Sequence, residues 1–199
     1  MGQTKLVIEH MLRDLHQSDP AWRVCLLRYF NPVGAHPGGR LGENPVGVPQ
    51  NLMPIIMEVA IGKRPYLNVY GDDYDTPDGT AIRDYIHVMD LAEGHLLALT
   101  ALFAEGPAFP RYAVYNLGTG VGYSVKQIID AVSKALGYPL PFQVSARRPG
   151  DVEKLVANPQ KAREELGFVA KRTLEQMVHD SLFNNGVRPA RLQVGPENN

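Results

Sequence analysis

One cysteine stands in 199 residues, so Cys25 can form no intrachain disulfide and no multi-cysteine metal site. Its apolar setting, Val24-Cys25-Leu26-Leu27, marks it as a packing residue rather than a nucleophile. Charge of one sign is not in excess: 20 Lys+Arg oppose 21 Asp+Glu, which leaves no global field to draw nucleic acid or an acidic membrane. No apolar run reaches membrane-spanning length and no signal-peptide pattern opens the chain, so a soluble, cytoplasmic protein is expected. Neither a metal-ligand cluster nor a Ser-His-Asp arrangement is visible. What is present is an ordinary globular composition, 44% hydrophobic, with enough apolar residues for a core.

Along the chain, helical and strand patterns alternate. Ile8, Met11, Leu12 and Leu15 recur at helical spacing and predict an amphipathic helix over 3–18, ended by Asp19-Pro20. Trp22 to Tyr29 reads as a strand buried on both faces. Phe30 to Pro49, rich in Gly and Pro, reads as a long functional loop. A helix over Asn51–Ile61, a strand over Leu67–Tyr70 and an aspartate-rich loop from Gly71 to Gly79 follow. A brief strand at Tyr85–His87 leads into a helix to about Leu102, and Val114–Asn116 is a strand stopped by the turn Leu117-Gly118-Thr119-Gly120. Ser124 with Gln127 forms a capping box for a helix to Leu136. Phe142–Ala146 is a strand, Asn158-Pro159 starts a short helix, and Thr173 with Gln176 caps the last one. Parallel-type alternation of this kind implies an α/β fold, with ligands beyond the carboxyl ends of the strands.

Seven segments occur in a fixed order: Arg28-Tyr29-Phe30-Asn31-Pro32, Asn51-Leu52-Met53-Pro54, Leu67-Asn68-Val69-Tyr70-Gly71, Asp78-Gly79-Thr80, Arg83-Asp84-Tyr85-Ile86-His87, Tyr115-Asn116-Leu117-Gly118 and Ala146-Arg147-Arg148-Pro149-Gly150-Asp151. Each is weak alone. Together they resemble the UDP-glucose/UDP-galactose 4-epimerases of the extended short-chain dehydrogenase/reductase family, over residues 2 to about 180. The Gly71–Thr80 segment is closer to the epimerases than to related nucleotide-sugar dehydratases or decarboxylases.

The resemblance implies an NAD-dependent isomerase of galactose metabolism. Hydride leaves sugar carbon 4 for NAD and returns to the other face, which interconverts UDP-galactose and UDP-glucose in a homodimer. It also implies site residues. Lys5 matches the lysine of the family's Tyr-x-x-x-Lys pair, where it holds the nicotinamide ribose, and Met1 stands at the tyrosine position; without the match, Lys5 reads as a solvated lysine paired with Glu9. Tyr29 borders the nicotinamide. Arg83 and Arg148 fit the diphosphate, because a guanidinium bonds two oxygens at once. Arg147 fits a surface pair equally well. Tyr70 packs on uracil beside Asn68, Asn31 and Asn51 meet phosphate or sugar hydroxyls, and Leu52 offers a backbone N–H. Asp151 accepts from a ribose hydroxyl, or caps a helix. Leu155 lies beside the hexose, where a side chain smaller than tyrosine leaves room for N-acetylated UDP-sugars. His87 fixes loop packing.

The family's opening Gly-rich turn between strand and helix is not found in the sequence. The expected chain is therefore a carboxyl-terminal portion only: a partial Rossmann-type parallel sheet with its NAD-binding half missing, plus a smaller α/β substrate-binding domain. Residues 1–34 are expected to be a remnant of the NAD domain and 35–186 mainly the UDP-sugar-binding domain. Within it, 88–118 return to the Rossmann sheet, and 187–199 form a flexible tail. Such a chain would be inactive alone and hold NAD weakly. A non-catalytic UDP-sugar or partner-binding protein is the alternative.

Overall fold

The computed structural model describes residues 2–104 and 110–187; Met1 and the expected tail beyond Val187 lie outside the described residues. Helix α1 (Gly2–Ser18) leads to strands β1 (Val24–Tyr29) and β2 (Asn31–Val33). Then come α2 (Leu52–Ala60), β3 (Leu67–Tyr70), β4 (Ile82–His87), α3 (Val88–Phe103), β5 (Tyr112–Leu117) and β6 (Gly122–Ser124). The chain continues with α4 (Val125–Leu136), β7 (Phe142–Ser145), β8 (Lys154–Leu155), α5 (Gln160–Leu166) and α6 (Leu174–Asn184). β1 pairs with β5, and β3 with β7, in parallel. β4 is the hub of the third sheet: β2 and β8 pair with it in parallel, and β6 antiparallel.

This pairing corrects the expectation of a Rossmann-type sheet whose NAD-binding half is missing. Rossmann-type parallel pairing is present, six residue pairs for β1–β5 and four for β3–β7. The expectation rested on a missing Gly-rich turn. A turn motif does not make a parallel sheet, however; apolar strands joined by helical crossovers do.

Two apolar cores flank β4, because successive strand side chains point to opposite faces. Tyr85 joins Ile56, Leu67, Val69, Ile128, Met177 and Leu182 in one core, while Ile86 joins Leu91, Tyr115, Leu117, Leu166 and Phe168 in the other. The α4 and α6 capping boxes form as expected, Ser124 with Gln127 and Thr173 with Gln176.

Several local expectations shift. The stretch from Phe30 to Pro49 is not all loop, since β2 pairs with β4 inside it. Pro159, not Asn158, is the N-cap of α5, although the Asn158 side chain still accepts from the Gln160 N–H at 3.0 Å. β1 is buried only at Val24, and Tyr29 is 51% exposed. Helix α1 buries no residue, and Leu6, Val7, Ile8 and Met11 lie open on it. No helix among the described residues is long and apolar enough to cross a membrane.

Candidate functional site

A cavity of about 150 Å³ opens where β2, β3 and β4 meet the start of α2. Asn31, Asn51, Leu52, Asn68, Tyr70, Arg83, Arg148 and Asp151 all line it, so residues drawn from five separate motifs share one wall system. Asn51 is the N-cap of α2 in extended backbone, and its carboxamide makes no capping bond. It also borders a larger neighbouring cavity of about 460 Å³, with Pro32, His36, Val88 and Met89. Parallel pairing sets Asn31 opposite Tyr85. The Tyr85 phenol, which lines the same wall, is pushed up to about 12 by burial, against the lowering effect of Arg83, and is therefore neutral.

Two guanidinium groups approach one carboxylate. Arg148 Nε donates to Asp151 Oδ2 at 3.0 Å, and Arg83 Nη2 lies 4.0 Å from Asp151 Oδ1. Arg83 also donates to the Ile82 carbonyl at 2.8 Å, and Arg148 sits over the Tyr70 ring, 4.7 Å from its centroid. Together with Asp151 the pair of arginines leaves one net positive charge at the cavity wall, which suits a polyanion. Asp151 caps no helix, since β8 follows it. Arg147 turns away to the loop at Asp73 (2.7 Å) and lies over Tyr74, as a surface pair would. The bond from Arg147 holds the Asp73 carboxyl below the usual range.

Leu155 lies outside the cavity lining, exposed on β8 and in register with Arg83. Lys5 is exposed on α1 and has no pairing with Glu9. Glu9 instead accepts a hydrogen bond from Arg28 Nε at 2.7 Å, and that bond lowers its pKa. Met1 lies outside the described residues. Tyr29 ends β1 and donates its hydroxyl to His95 Nε2 at 2.6 Å, while His95 Nδ1 donates to the Leu91 carbonyl at 2.8 Å. The two rings are 5.1 Å apart.

His87 has the packing role expected of it. Fully buried, it accepts the Met89 N–H at Nδ1 (3.0 Å) and meets Asp180 through Nε2 at 3.2 Å. A Cβ at Gly34 would lie 2.7 Å from the same ring, so this glycine is required by close approach.

Asp84 is not legible in the sequence as what it is, a buried carboxylate that ties the 119–120 turn and residue 157 to β4. It accepts from the Thr119, Gly120 and Ala157 N–H groups and from the Thr119 hydroxyl. The turn Leu117-Gly118-Thr119-Gly120 was read as a turn and is one; its partner was not legible, because the donors lie 35 to 73 residues away. His95 was missed for the same reason. Among the described residues no group of His, Cys, Asp and Glu is placed to hold a metal ion.

Residues 2–181 match the GDP-mannose 4,6 dehydratase family. The UDP-glucose 4-epimerase of Bacillus subtilis (strain 168) is 54% identical over 180 residues, 90% of this chain and 52% of that protein. The Homo sapiens UDP-glucose 4-epimerase is 54% identical over 179 residues, 90% of this chain and 50% of that one. The crystal structure of the Bifidobacterium longum UDP-glucose 4-epimerase in complex with NAD+ and UDP superposes with a TM-score of 0.85 at 52% identity, covering 91% of this chain and 52% of that one. The chain thus spans about half the length of the curated relatives it matches. The same match corrects the expectation of a carboxyl-terminal portion without NAD-binding elements, because the aligned half includes Rossmann-type parallel strands of the NAD-binding fold. The chain belongs to the GDP-mannose 4,6 dehydratase family, and within it is similar to NAD-dependent UDP-glucose 4-epimerases.

Proposed function

We propose that this chain carries the UDP-sugar site of an NAD-dependent UDP-glucose 4-epimerase, which interconverts UDP-galactose and UDP-glucose. The convergence of Arg83, Arg148, Tyr70, Asn31 and Asn51 on one cavity carries the reading. In it the diphosphate takes the two guanidinium groups from Asp151, and the freed Asp151 carboxylate accepts from a ribose hydroxyl. Tyr70 and Asn68 take the base, and the Leu52 N–H and the Asn31 and Asn51 carboxamides take phosphate or sugar hydroxyls. Leu155 flanks the hexose on β8, where its modest volume admits an N-acetylated sugar. Residues 35–186 are mainly the UDP-sugar domain, with 1–34 and 88–118 on the Rossmann side, and the whole protein works as a cytoplasmic homodimer.

Tyr29 and Lys5 fit the nicotinamide end of NAD. The Tyr29 ring is half exposed at the carboxyl end of a parallel strand, with its hydroxyl fixed by His95, and the Lys5 ammonium is free of Glu9. NAD, when bound, supplies the hydride acceptor for sugar carbon 4. Tyr29 then holds the ring edge, and Lys5 would donate to ribose hydroxyls and place a positive charge at that end of the site.

Titration calorimetry with UDP tests the reading. Binding should be seen, and Arg83→Ala or Arg148→Ala should weaken it by about 1.5–3 kcal/mol, the value of a hydrogen bond to a charged group. Wild-type protein that takes up no UDP, or arginine variants with unchanged affinity, would refute the site. Interconversion of UDP-galactose and UDP-glucose with NAD present, followed in a coupled assay, tests the activity.

A further inference from the structure

The two arginines at the cavity wall are held in different ways. Arg83 belongs to a paired strand, donates to the Ile82 carbonyl and is mostly buried, and it reaches Asp151 only at 4.0 Å. Arg148 is half exposed and stands on the turn between β7 and β8. The Asp151 N–H closes that turn on the Arg148 carbonyl at 3.3 Å, and Gly150 passes through it at φ +86°. β4 thus carries a fixed cation, and the turn carries an adjustable one.

The adjustable cation has two partners within the chain. Arg148 Nε donates to Asp151 Oδ2 at 3.0 Å, and its guanidinium lies over the Tyr70 ring, 4.7 Å from the centroid. Both partners line the same cavity as Arg148. A diphosphate that takes the Arg148 guanidinium must therefore break a charge-assisted hydrogen bond and a cation–π contact. Bare pyrophosphate replaces neither: it has no ring to lay on Tyr70, and it brings anionic oxygens beside the Asp151 carboxylate. A nucleoside diphosphate offers a flat base to Tyr70 and ribose hydroxyls to Asp151.

We propose that Arg148, Tyr70 and Asp151 form a latch that sets specificity: the internal contacts of Arg148 compete with anions, and only a diphosphate joined to a nucleoside replaces what it displaces. This rests on the proposed UDP-sugar site and adds to it a discrimination against diphosphates that lack a nucleoside.

Titration calorimetry with UDP and with inorganic pyrophosphate on wild type, Tyr70→Leu and Asp151→Asn tests the latch. Tyr70 lies on the exposed face of β3 and Asp151→Asn keeps the side-chain shape, so far-UV circular dichroism should show both variants folded. Tyr70 carries no charge and pyrophosphate has no ring, so release of Arg148 is the effect that Tyr70→Leu isolates. Pyrophosphate should bind this variant about two- to fivefold more tightly than wild type, the value of an exposed cation–π contact. Asp151→Asn should tighten pyrophosphate by about fivefold, through the lost ion pair and the lost repulsion. The wild-type preference for UDP should shrink in both. Tightening in Asp151→Asn alone would mean that only charge acting through space is at work, and it overturns the latch. Weaker pyrophosphate binding in either variant overturns it too, because the contacts would then hold Arg148 ready for the anion. UDP binding to wild type with pyrophosphate bound by no variant also overturns the latch and leaves the site standing. Wild type that binds no UDP removes the site itself, and the latch with it.

Discussion

Asp84→Asn removes a single charge from the middle of β4 and should destabilise the fold severely. The Asp84 side chain is inaccessible to solvent. Oδ1 accepts the Thr119 N–H at 2.9 Å and the Thr119 hydroxyl at 2.7 Å, and Oδ2 accepts the Gly120 N–H at 2.9 Å and the Ala157 N–H at 3.2 Å. Asparagine keeps one oxygen, so two of these bonds are lost and an NH₂ faces two buried donors. Each bond to a charged acceptor contributes about 1.5–3 kcal/mol. With partial relaxation the loss should be about 3–5 kcal/mol, a large share of the 5–15 kcal/mol typical of a domain. Urea unfolding followed by far-UV circular dichroism reads this as a lower midpoint at constant m. Asp75→Asn, in the exposed loop before β4, is the control and should stay within about 0.5 kcal/mol. A loss below about 1 kcal/mol for Asp84→Asn would show that the four bonds do not hold the 118–120 turn and residue 157 to β4.

Two further outcomes follow from the same local geometry. Burial depresses the pKa of His87, and the nearby Arg172 adds to this, while the Asp180 hydrogen bond and charge and the more distant Asp90 oppose it. The unfolded state therefore binds the proton more readily: the stabilising effect of neutral His87 is complete above its unfolded pKa of about 6.5 and declines as pH falls through that value. His87→Gln should flatten the fall in urea midpoint below about pH 6.5, and equal slopes for the two proteins would count against it. Gly79 has φ +80°, and a Cβ there would lie 1.9 Å from the Asp72 carbonyl oxygen. Gly62 has φ +75° with open space around it. Thermal unfolding should show Gly79→Ala losing more than Gly62→Ala by about 1–3 kcal/mol, the clash beyond the shared backbone strain.

Legibility in the sequence followed the distance over which each feature is decided. The α4 cap was readable because Ser124 and Gln127 satisfy each other within one turn, and β3 because Leu67–Tyr70 alternates between faces. β6 and β8 were invisible, being three and two residues long and existing only through their pairing with β4. β1 was read as doubly covered because Val24–Leu27 is apolar throughout; composition states what a strand tolerates, and its neighbours decide what covers it. The cavity residues were legible through the order of their motifs. Their second partners were not: Gln143 reaches Asn68 across 75 residues, and His95 reaches Tyr29 across 66, through register and packing that no local pattern encodes.

The run from Arg83 to His87 shows why one short motif carries so much of the fold and the site. Arg83 faces the cavity and Asp151, and Asp84 clasps the 118–120 turn and residue 157. Tyr85 enters one core, Ile86 the other, and His87 caps α3 while meeting Asp180 on α6. Five consecutive residues thus meet five different surroundings, and none can exchange places with its neighbour. A slip of one residue in β4 that carried Arg83 to the place of Asp84, against the backbone donors of the turn, would carry the Asp84 carboxylate to the place of Tyr85 on the cavity wall. Two carboxylates would then face a site shaped for an anion, and a cation would face N–H groups. Register in this strand, more than the identity of any one cavity side chain, is what gives the site its positive sign.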